Sequence, residues 1–213
     1  MSFYKIAGIR VNIVENDVPE RFAQLARKEK RLACDIETSG LDWTTDKIGT
    51  CQVHVPNRST MVIRIGAKTP NTLLSLLSDP SIIKLFHHAM FDLRFMVYRW
   101  NILPKNIVCT KIAAKLLNRE QRENHTLKAL LYCYLGITIE KDQRLSQWTG
   151  AKLKRPQIKY AVNDVIYLWP LYECLEKQLR SRGLLVLAHR CFKHIPTQVQ
   201  LELLGYKNIY EYH

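Results

Sequence analysis

The strongest constraint on the fold is a predicted strand, residues 31–37, that ends in two carboxylates, Asp35 and Glu37. The neighbouring residues are apolar, and alternate side chains of a strand point to the same face, so the two carboxylates are expected to lie side by side. A turn containing glycine follows at 38–42. Carboxylates aimed from a strand end are suitable ligands for a hard divalent cation. Such a pair can also simply face water, so a metal site requires partners from elsewhere in the chain.

The rest of the chain alternates predicted strands and helices. The other predicted strands are 4–9, 11–14, 48–55, 60–65, 82–86 and 107–109. The predicted helices are 17–28, 73–77, 87–98, 110–117, 126–135, 155–180 and 184–191. Asp17 is predicted to cap the first helix and Pro196 to stop the last. This alternation predicts an α/β domain.

The charge balance indicates a polyanionic partner. The 213 residues include 32 Lys and Arg against 19 Asp and Glu, which gives a net charge of +13, while the hydrophobic content of 47% is that of a globular protein. Any one basic cluster, such as 27–31 or 152–155, is explained as a solvated surface. The sum of the clusters favours nucleic acid as the partner.

The sequence offers neither a membrane span nor a disulfide pattern. No apolar run reaches the roughly 18 residues of a transmembrane helix, and residues 1–10 lack the order of a signal peptide. The six cysteines are scattered and have no Cys-x-x-Cys spacing, which indicates small core residues in a reducing compartment. A cytoplasmic location without membrane contact is therefore expected.

Three further polar residues are candidates for the partners that the first pair requires. Asp92 falls early in the predicted helix 87–98, where an ordinary surface acid would also be at home. Tyr160 and Asp164 are four residues apart and so share one face of the predicted helix 155–180. On its own, Tyr160 would be explained as a core residue of an amphipathic helix.

Taken together, these motifs resemble the ribonuclease D family. The motifs are Asp35-x-Glu-Thr-x-Gly-Leu41, His87-x-x-x-Phe-Asp92 and Tyr160-Ala-x-x-Asp164-Val, and the similarity extends over residues 34–175. They match the three motifs of the 3′-5′ exonucleases that are named for four acidic residues, in the branch with a motif tyrosine. The stretch Cys191-Phe-Lys-His-Ile-Pro196, with Leu201 to Tyr206, resembles the short members called nanoRNase C.

The resemblance implies a fold and a metal-dependent reaction. The fold would be ribonuclease H-like, with a mixed central sheet flanked by helices. Asp35, Glu37, Asp92 and Asp164 would hold two divalent cations, Mg²⁺ or Mn²⁺, which catalyse phosphodiester hydrolysis. Tyr160 would position the attacking water, and most of the activation of that water would fall to the metal, since a phenol with a pKa of about 10 is a poor base.

The resemblance also implies substrate contacts. Leu41 matches the position that wedges against the terminal base, and Thr38 and His88 would touch the terminal nucleotide. His88 stands where related exonucleases often have Asn, and a buried core histidine is the alternative. Three more residues match family positions beside the site, with packing as the alternative for the tryptophan. These three are Lys141, Trp148 and Gln157.

The expected protein is a single exonuclease domain spanning 1–213, with a helical tail from about 181. The helical nucleic-acid-binding domains of ribonuclease D proper are not expected, so the basic surface of the domain itself, or of neighbouring copies in a homo-oligomer, would grip the substrate. The expected function is a 3′-to-5′ exoribonuclease that acts on RNA 3′ ends, including very short RNA, and releases nucleoside 5′-monophosphates. A 3′-5′ exodeoxyribonuclease acting on single-stranded DNA and a non-catalytic nucleic-acid-binding module are the alternatives.

Overall fold

The computed structural model describes residues 2–118, 120, 124–140, 142–143, 145–206 and 208–211. The strands in these ranges are β1 (Ser2–Ile6), β2 (Ile9–Glu15), β3 (Arg31–Thr38), β4 (Ile48–Val55), β5 (Ser59–Arg64), β6 (Ile83–Phe86) and β7 (Ile107–Cys109). The helices are α1 (Glu20–Glu29), α2 (Asn71–Ser78), α3 (Ala89–Trp100), α4 (Thr110–Leu117), α5 (Leu127–Leu135), α6 (Arg155–Ile166), α7 (Leu168–Ser181) and α8 (Leu185–Leu203).

The strands form one mixed sheet in the order β1-β2-β5-β4-β3-β6-β7. Strand β3 pairs antiparallel with β4 and parallel with β6, so it lies where the two pairing directions meet. Strands β6 and β7 continue the parallel part. The mixed sheet with flanking helices confirms the predicted fold class.

Helices cover both faces of the sheet at its centre. All eight residues of β4 are buried, although alternate side chains of a strand point to opposite faces. Strand β4 contacts both α1 and α6, and α6 also packs on β3 and β5. The acid-bearing strand β3 is therefore largely buried, with Arg31 exposed at its start and Asp35 and Thr38 partly exposed.

The prediction of one helix over residues 155–180 is wrong. Helix α6 ends at Ile166 and α7 begins at Leu168, with Tyr167 between them. Pro170 has no N–H to donate to the carbonyl of Ile166, and its ring crowds the same turn. The break lets α6 pack on the sheet while α7 packs on α4 and α8.

The prediction that Pro196 ends the last helix is also wrong. Helix α8 continues from Leu185 to Leu203 with Pro196 inside it. The proline costs one hydrogen bond to the carbonyl of Phe192. The buried side chains on both sides of it, including Ile195 and Val199, offset that cost. Neither α8 nor any other helix in the described part of the chain has the length and apolar character that crossing a membrane requires.

Asp17 caps a different helix from the one predicted. Pro19 occupies the N-cap position of α1 and makes no side-chain cap. The carboxylate of Asp17 instead accepts hydrogen bonds from the N–H groups of Thr72, at 2.8 Å, and Leu73, at 2.9 Å. These are N–H groups at the start of α2, so Asp17 ties the segment before α1 to the start of α2 across 55 residues of sequence.

Candidate active site

Strand β3 presents Asp35 and Glu37 on one face, as the periodicity predicts. Asp35 lies opposite Gln52 of β4 and Glu37 lies opposite Thr50, so the four polar residues form a patch on an otherwise apolar sheet. The strand register shifts between Glu37 and Thr38, and the last pair of the ladder is Thr38 with Ile48. Glu37 is 9% exposed and Asp35 is half-buried, so both carboxylates are largely removed from bulk water.

Helix α6 brings a third carboxylate to this patch. Asp164 is buried, and one carboxylate oxygen from each of Asp35, Glu37 and Asp164 lies within 4.8 Å of the other two. Tyr160 lies one turn earlier on the same helix and is also buried. Three oxygen ligands at this separation suit a hard divalent cation. Glu37 and Asp164 come from elements 127 residues apart in sequence, so only the packing of α6 on β3 forms the cluster.

The fourth predicted acid, Asp92, lies beside this cluster. It is 2% exposed, and its Oδ1 atom accepts a hydrogen bond of 3.0 Å from the N–H of Ile36, the residue between Asp35 and Glu37. Burial raises the pKa of the Asp92 carboxyl well above its usual value, backbone hydrogen bonds lower it, and the charge of Asp164 raises it further. Asp92 is thus held against β3, near but not within the group of three.

The turn after β3 holds Leu41 out in solvent. Leu41 is 78% exposed. The carboxylate of Asp46 accepts hydrogen bonds from the hydroxyl of Ser39, at 2.8 Å, and from the N–H of Asp42, at 3.0 Å. Gly40 packs against the same carboxylate so closely that a Cβ atom has no room there. The turn is therefore fixed by its own hydrogen bonds before any ligand binds.

The hydroxyl of Thr38 also serves this turn. It donates a hydrogen bond of 2.5 Å to the carbonyl of Gly40. The backbone of Thr38, which the sequence predicts as a contact for the terminal nucleotide, lies at the end of β3 between the carboxylates and Leu41.

His88 stands at the start of α3 in a positively charged surrounding. It is exposed, has the left-handed φ of 68°, and occupies the N-cap position, so the alternative of a buried core histidine is excluded. Although the residue as a whole is exposed, neighbouring atoms shield its ring from water, and this desolvation, with the charges of Lys111, Arg94 and Lys115, lowers the pKa of the imidazole to about 4. At neutral pH the ring is uncharged and the neighbouring cations supply the positive potential.

Two other predicted substrate contacts, Trp148 and Gln157, are buried, unlike Leu41 and His88. Trp148 is 1% exposed and packs against Tyr160, with 5.8 Å between the ring centroids. Gln157 is also buried, and its amide makes three hydrogen bonds within the protein. Their contact with substrate stays a prediction. Lys141 lies outside the described residues.

Sequence reasoning missed two residues of this site, Thr50 and Gln52. Both are fully buried, face the carboxylates from β4, and are joined by a hydrogen bond of 2.9 Å from the Gln52 amide to the Thr50 hydroxyl. The available signal was the alternation of polar and apolar residues through 50–54, because polar side chains every second residue in a buried strand mark one face as a site.

The sequence matches a known protein family and its members. Residues 11–180 match the model of a family described as 3′-5′ exonuclease. The ribonuclease D of Haemophilus influenzae is 26% identical over 167 residues, which are 78% of this chain and 41% of that protein. The chain thus spans less than half of the length of this relative.

Solved structures give a similar result. The structure of Brucella melitensis NrnC bound to pGG has a TM-score of 0.87 and 32% identity, and the match covers 95% of this chain and 98% of that one. The ribonuclease D of Escherichia coli has a TM-score of 0.75 and 22% identity, with 87% of this chain and 50% of that chain covered. The second likeness shows the fold alone.

Proposed function

Because this chain belongs to the 3′-5′ exonuclease family and is an exonuclease of the ribonuclease D type, we propose that it hydrolyses RNA from the 3′ end by two-metal-ion catalysis and releases nucleoside 5′-monophosphates. The observation that carries this proposal is the meeting of Asp35, Glu37 and Asp164 from a strand and a distant helix, with their oxygens within 4.8 Å. Tyr160 lies one turn from Asp164, so a group that can orient water is next to the carboxylates.

The donor set fits divalent cations. All the candidate ligands are carboxylate oxygens, which Mg²⁺ and Mn²⁺ prefer, and a structure of B. melitensis NrnC is described with bound Mg²⁺. Asp35, Glu37 and Asp164 would hold one ion, Asp35 would bridge to a second, and Asp92 would reach that second ion directly or through water. When bound, the two ions would activate the attacking water and stabilise the leaving oxygen.

Tyr160 would orient the attacking water with its hydroxyl. A phenol with an ordinary pKa of about 10 is a poor general base at neutral pH, so its contribution would be geometric. Its burial and its contact with Trp148 support this role, because a fixed ring gives the hydroxyl a fixed position. Tyr160→Phe is expected to lower kcat by about 10² while the fold is retained. An unchanged kcat would refute the role.

The 3′-terminal nucleotide would lie over the turn after β3. The exposed Leu41 would pack against the terminal base, and the backbone of Thr38 would hydrogen bond to the nucleotide. His88, uncharged at neutral pH, would donate or accept a hydrogen bond there, and the nearby Lys111 and Lys115 would attract the phosphates. The role predicted for Lys141 as a substrate contact is part of the same proposal, whereas the predicted contacts of Trp148 and Gln157 with substrate are not, because both side chains are buried.

The proposed substrate is short single-stranded RNA. The structure of B. melitensis NrnC that matches nearly the whole of this chain has pGG bound. A 3′-5′ exodeoxyribonuclease is the second candidate, because the hydrolysis does not use the 2′-hydroxyl. A homo-oligomer would add neighbouring basic surface to the grip on longer substrates.

A length-and-sugar panel tests the proposal. End-labelled RNA from dinucleotide to about 20-mer, matched single-stranded DNA and duplex would be incubated with Mg²⁺ or Mn²⁺ and in EDTA. Stepwise shortening of RNA from the 3′ end, dependent on the added metal and fastest for the short oligomers, is expected. Faster cleavage of DNA than of RNA would favour the second candidate, and cleavage in EDTA would refute the metal mechanism.

A further inference from the structure

Tyr160 belongs to a small buried cluster that is separate from the main core of the domain. The cluster consists of Trp148, Tyr160 and Ala161, with Leu153 packed against it. The rings of Trp148 and Tyr160 are inclined at 45°. The position of the tyrosine therefore depends on the loop that carries Trp148, not only on its own helix.

The indole of Trp148 is not fixed by a hydrogen bond of its own. Its Nε1 atom is buried and has no acceptor among the residues that the structure describes. A buried ring without a polar anchor is located by its packing and by the backbone that carries it. The backbone of residues 146–150 therefore decides where the Trp148 ring lies.

Gln157 fixes that backbone. Its amide nitrogen donates hydrogen bonds of 3.1 Å to the hydroxyl of Ser146 and to the carbonyl of Gln147, the two residues before Trp148. Its amide oxygen accepts a hydrogen bond of 2.8 Å from the N–H of Lys154 at the start of α6. One buried side chain thus joins the helix that carries Tyr160 to the loop that carries Trp148.

Two further contacts hold the same segment against the sheet. Gly49 of β4 lies against the carbonyl of Trp148, and a Cβ atom at position 49 would be only 2.6 Å from that oxygen. Arg64 of β5 donates a hydrogen bond of 3.1 Å to the carbonyl of Gly150. The segment is therefore held at three successive places, by α6, β4 and β5.

We infer that Gln157 is a positioning residue for the proposed reaction: through residues 146–148 it holds Trp148 against Tyr160 and so sets the place of the Tyr160 hydroxyl. This inference rests on the proposed function, in which that hydroxyl orients the attacking water. It gives Gln157 and Trp148 a role that requires no contact with substrate. Small displacements of such a group lower the rate of the chemical step more than they weaken binding.

The substitution Gln157→Glu separates the hydrogen bond that the Gln157 side chain accepts from those that it donates. A carboxylate keeps an oxygen for the N–H of Lys154, so the start of α6 remains capped, and the Ser146 hydroxyl can donate to it. The carboxylate cannot donate to the carbonyl of Gln147, so that hydrogen bond is lost. We expect kcat on a short RNA to fall by about tenfold to hundredfold, with KM changed by less than about twofold. Gln24→Glu, an identical change at an exposed position of α1, is the matched control and is expected to leave kcat unchanged.

A double-mutant cycle distinguishes positioning from substrate binding. If Gln157 acts through Tyr160, Gln157→Glu lowers kcat by less than about twofold in a Tyr160→Phe background, because the hydroxyl that it places is already gone. An equal loss in both backgrounds together with a raised KM would overturn the inference in favour of a substrate contact. An unchanged kcat for Gln157→Glu, with Tyr160→Phe still slow, would overturn the inference and leave the proposed function intact.

Two other variants keep the test decisive if Gln157→Glu does not fold. Ser146→Ala removes one of the two donated hydrogen bonds, and Gly49→Ala pushes on the carbonyl of Trp148. Each is expected to lower kcat without raising KM, and each effect is expected to vanish in the Tyr160→Phe background. If Tyr160→Phe alone has no effect, the proposed role of the tyrosine fails, and the inference fails with it.

Discussion

Replacing Asp35 with Asn is expected to stabilise the metal-free protein while it abolishes activity. Oxygens of Asp35, Glu37 and Asp164 lie within 4.8 Å of one another. Two ionised carboxylates at this separation repel by about 3 kcal/mol at an effective dielectric constant of about 20. Asp35 takes part in two of the three pairs, so the substitution removes most of the repulsion. An amide also donates hydrogen bonds to the remaining carboxylates.

The net gain is smaller than the sum of the pair energies. Clustered carboxylates in general relieve part of their repulsion by taking up a proton or moving apart. We therefore expect Asp35→Asn to raise the free energy of unfolding in EDTA by about 1–3 kcal/mol. For a domain of this size the corresponding rise in Tm is about 2–4 °C per kcal/mol.

Divalent metal is expected to reverse this order. At a metal concentration of about 100 times Kd, the unsubstituted protein gains about 2.7 kcal/mol, because the ion binds only the folded state. Asp35→Asn lacks the proposed bridging ligand and is expected to gain much less. The variant would then be the more stable protein in EDTA, and its advantage would shrink or disappear in saturating Mg²⁺ or Mn²⁺.

The assay is urea denaturation of both proteins in EDTA and in Mn²⁺, with RNA hydrolysis measured on the same samples. Glu211→Gln, which removes one negative charge at an exposed position, controls for the change in net charge. An Asp35→Asn protein that is less stable than the unsubstituted protein in EDTA would refute the repulsion argument. A full metal-induced shift in Asp35→Asn would refute the assignment of Asp35 as a ligand.

Three further substitutions test separate contacts. Gly40→Ala would place a methyl group against the carboxylate of Asp46 and distort the turn that holds Leu41. We therefore expect KM for short RNA to rise several-fold with little change in Tm, and an unchanged KM would contradict this. Glu202→Gln would remove the charge partner of Arg94 in a partly buried ion pair, and we expect the free energy of unfolding, measured by urea denaturation, to fall by about 1 kcal/mol. An unchanged free energy of unfolding would show that the ion pair does not stabilise the fold. Lys84 is wholly buried, and burial lowers the pKa of its ammonium from 10.5 to about 8. Between about pH 8 and 10.5 Lys84 therefore holds more protons in the unfolded chain than in the folded one, and this group contributes a rise in stability of up to about 3 kcal/mol. Above about pH 9 the thiols of Cys34, Cys51 and Cys109 oppose it, because burial raises their pKa. Lys84→Met is expected to remove the rise in stability between about pH 8 and 9, and a persisting rise there would show that another group causes it.

Local sequence patterns were sufficient for several features of the site. The period of two in β3 placed Asp35 and Glu37 on one face, and the spacing of four placed Tyr160 and Asp164 on one side of a helix. These relations hold because the geometry of a regular strand or helix fixes the direction of nearby side chains. The break after Ile166 and the continuation of α8 through Pro196 were not predicted, since in both cases packing decides how a proline is accommodated.

Contacts between distant residues were decided by the tertiary structure. Asp17 caps a helix that begins more than 50 residues later, and Gln157 holds a loop whose path follows no period. The sequence thus determined which face of β3 and which side of α6 carry the acids. Only the packing of α6 on β3 determined that the acids meet within 4.8 Å, because the distance between two elements depends on all the side chains packed between them.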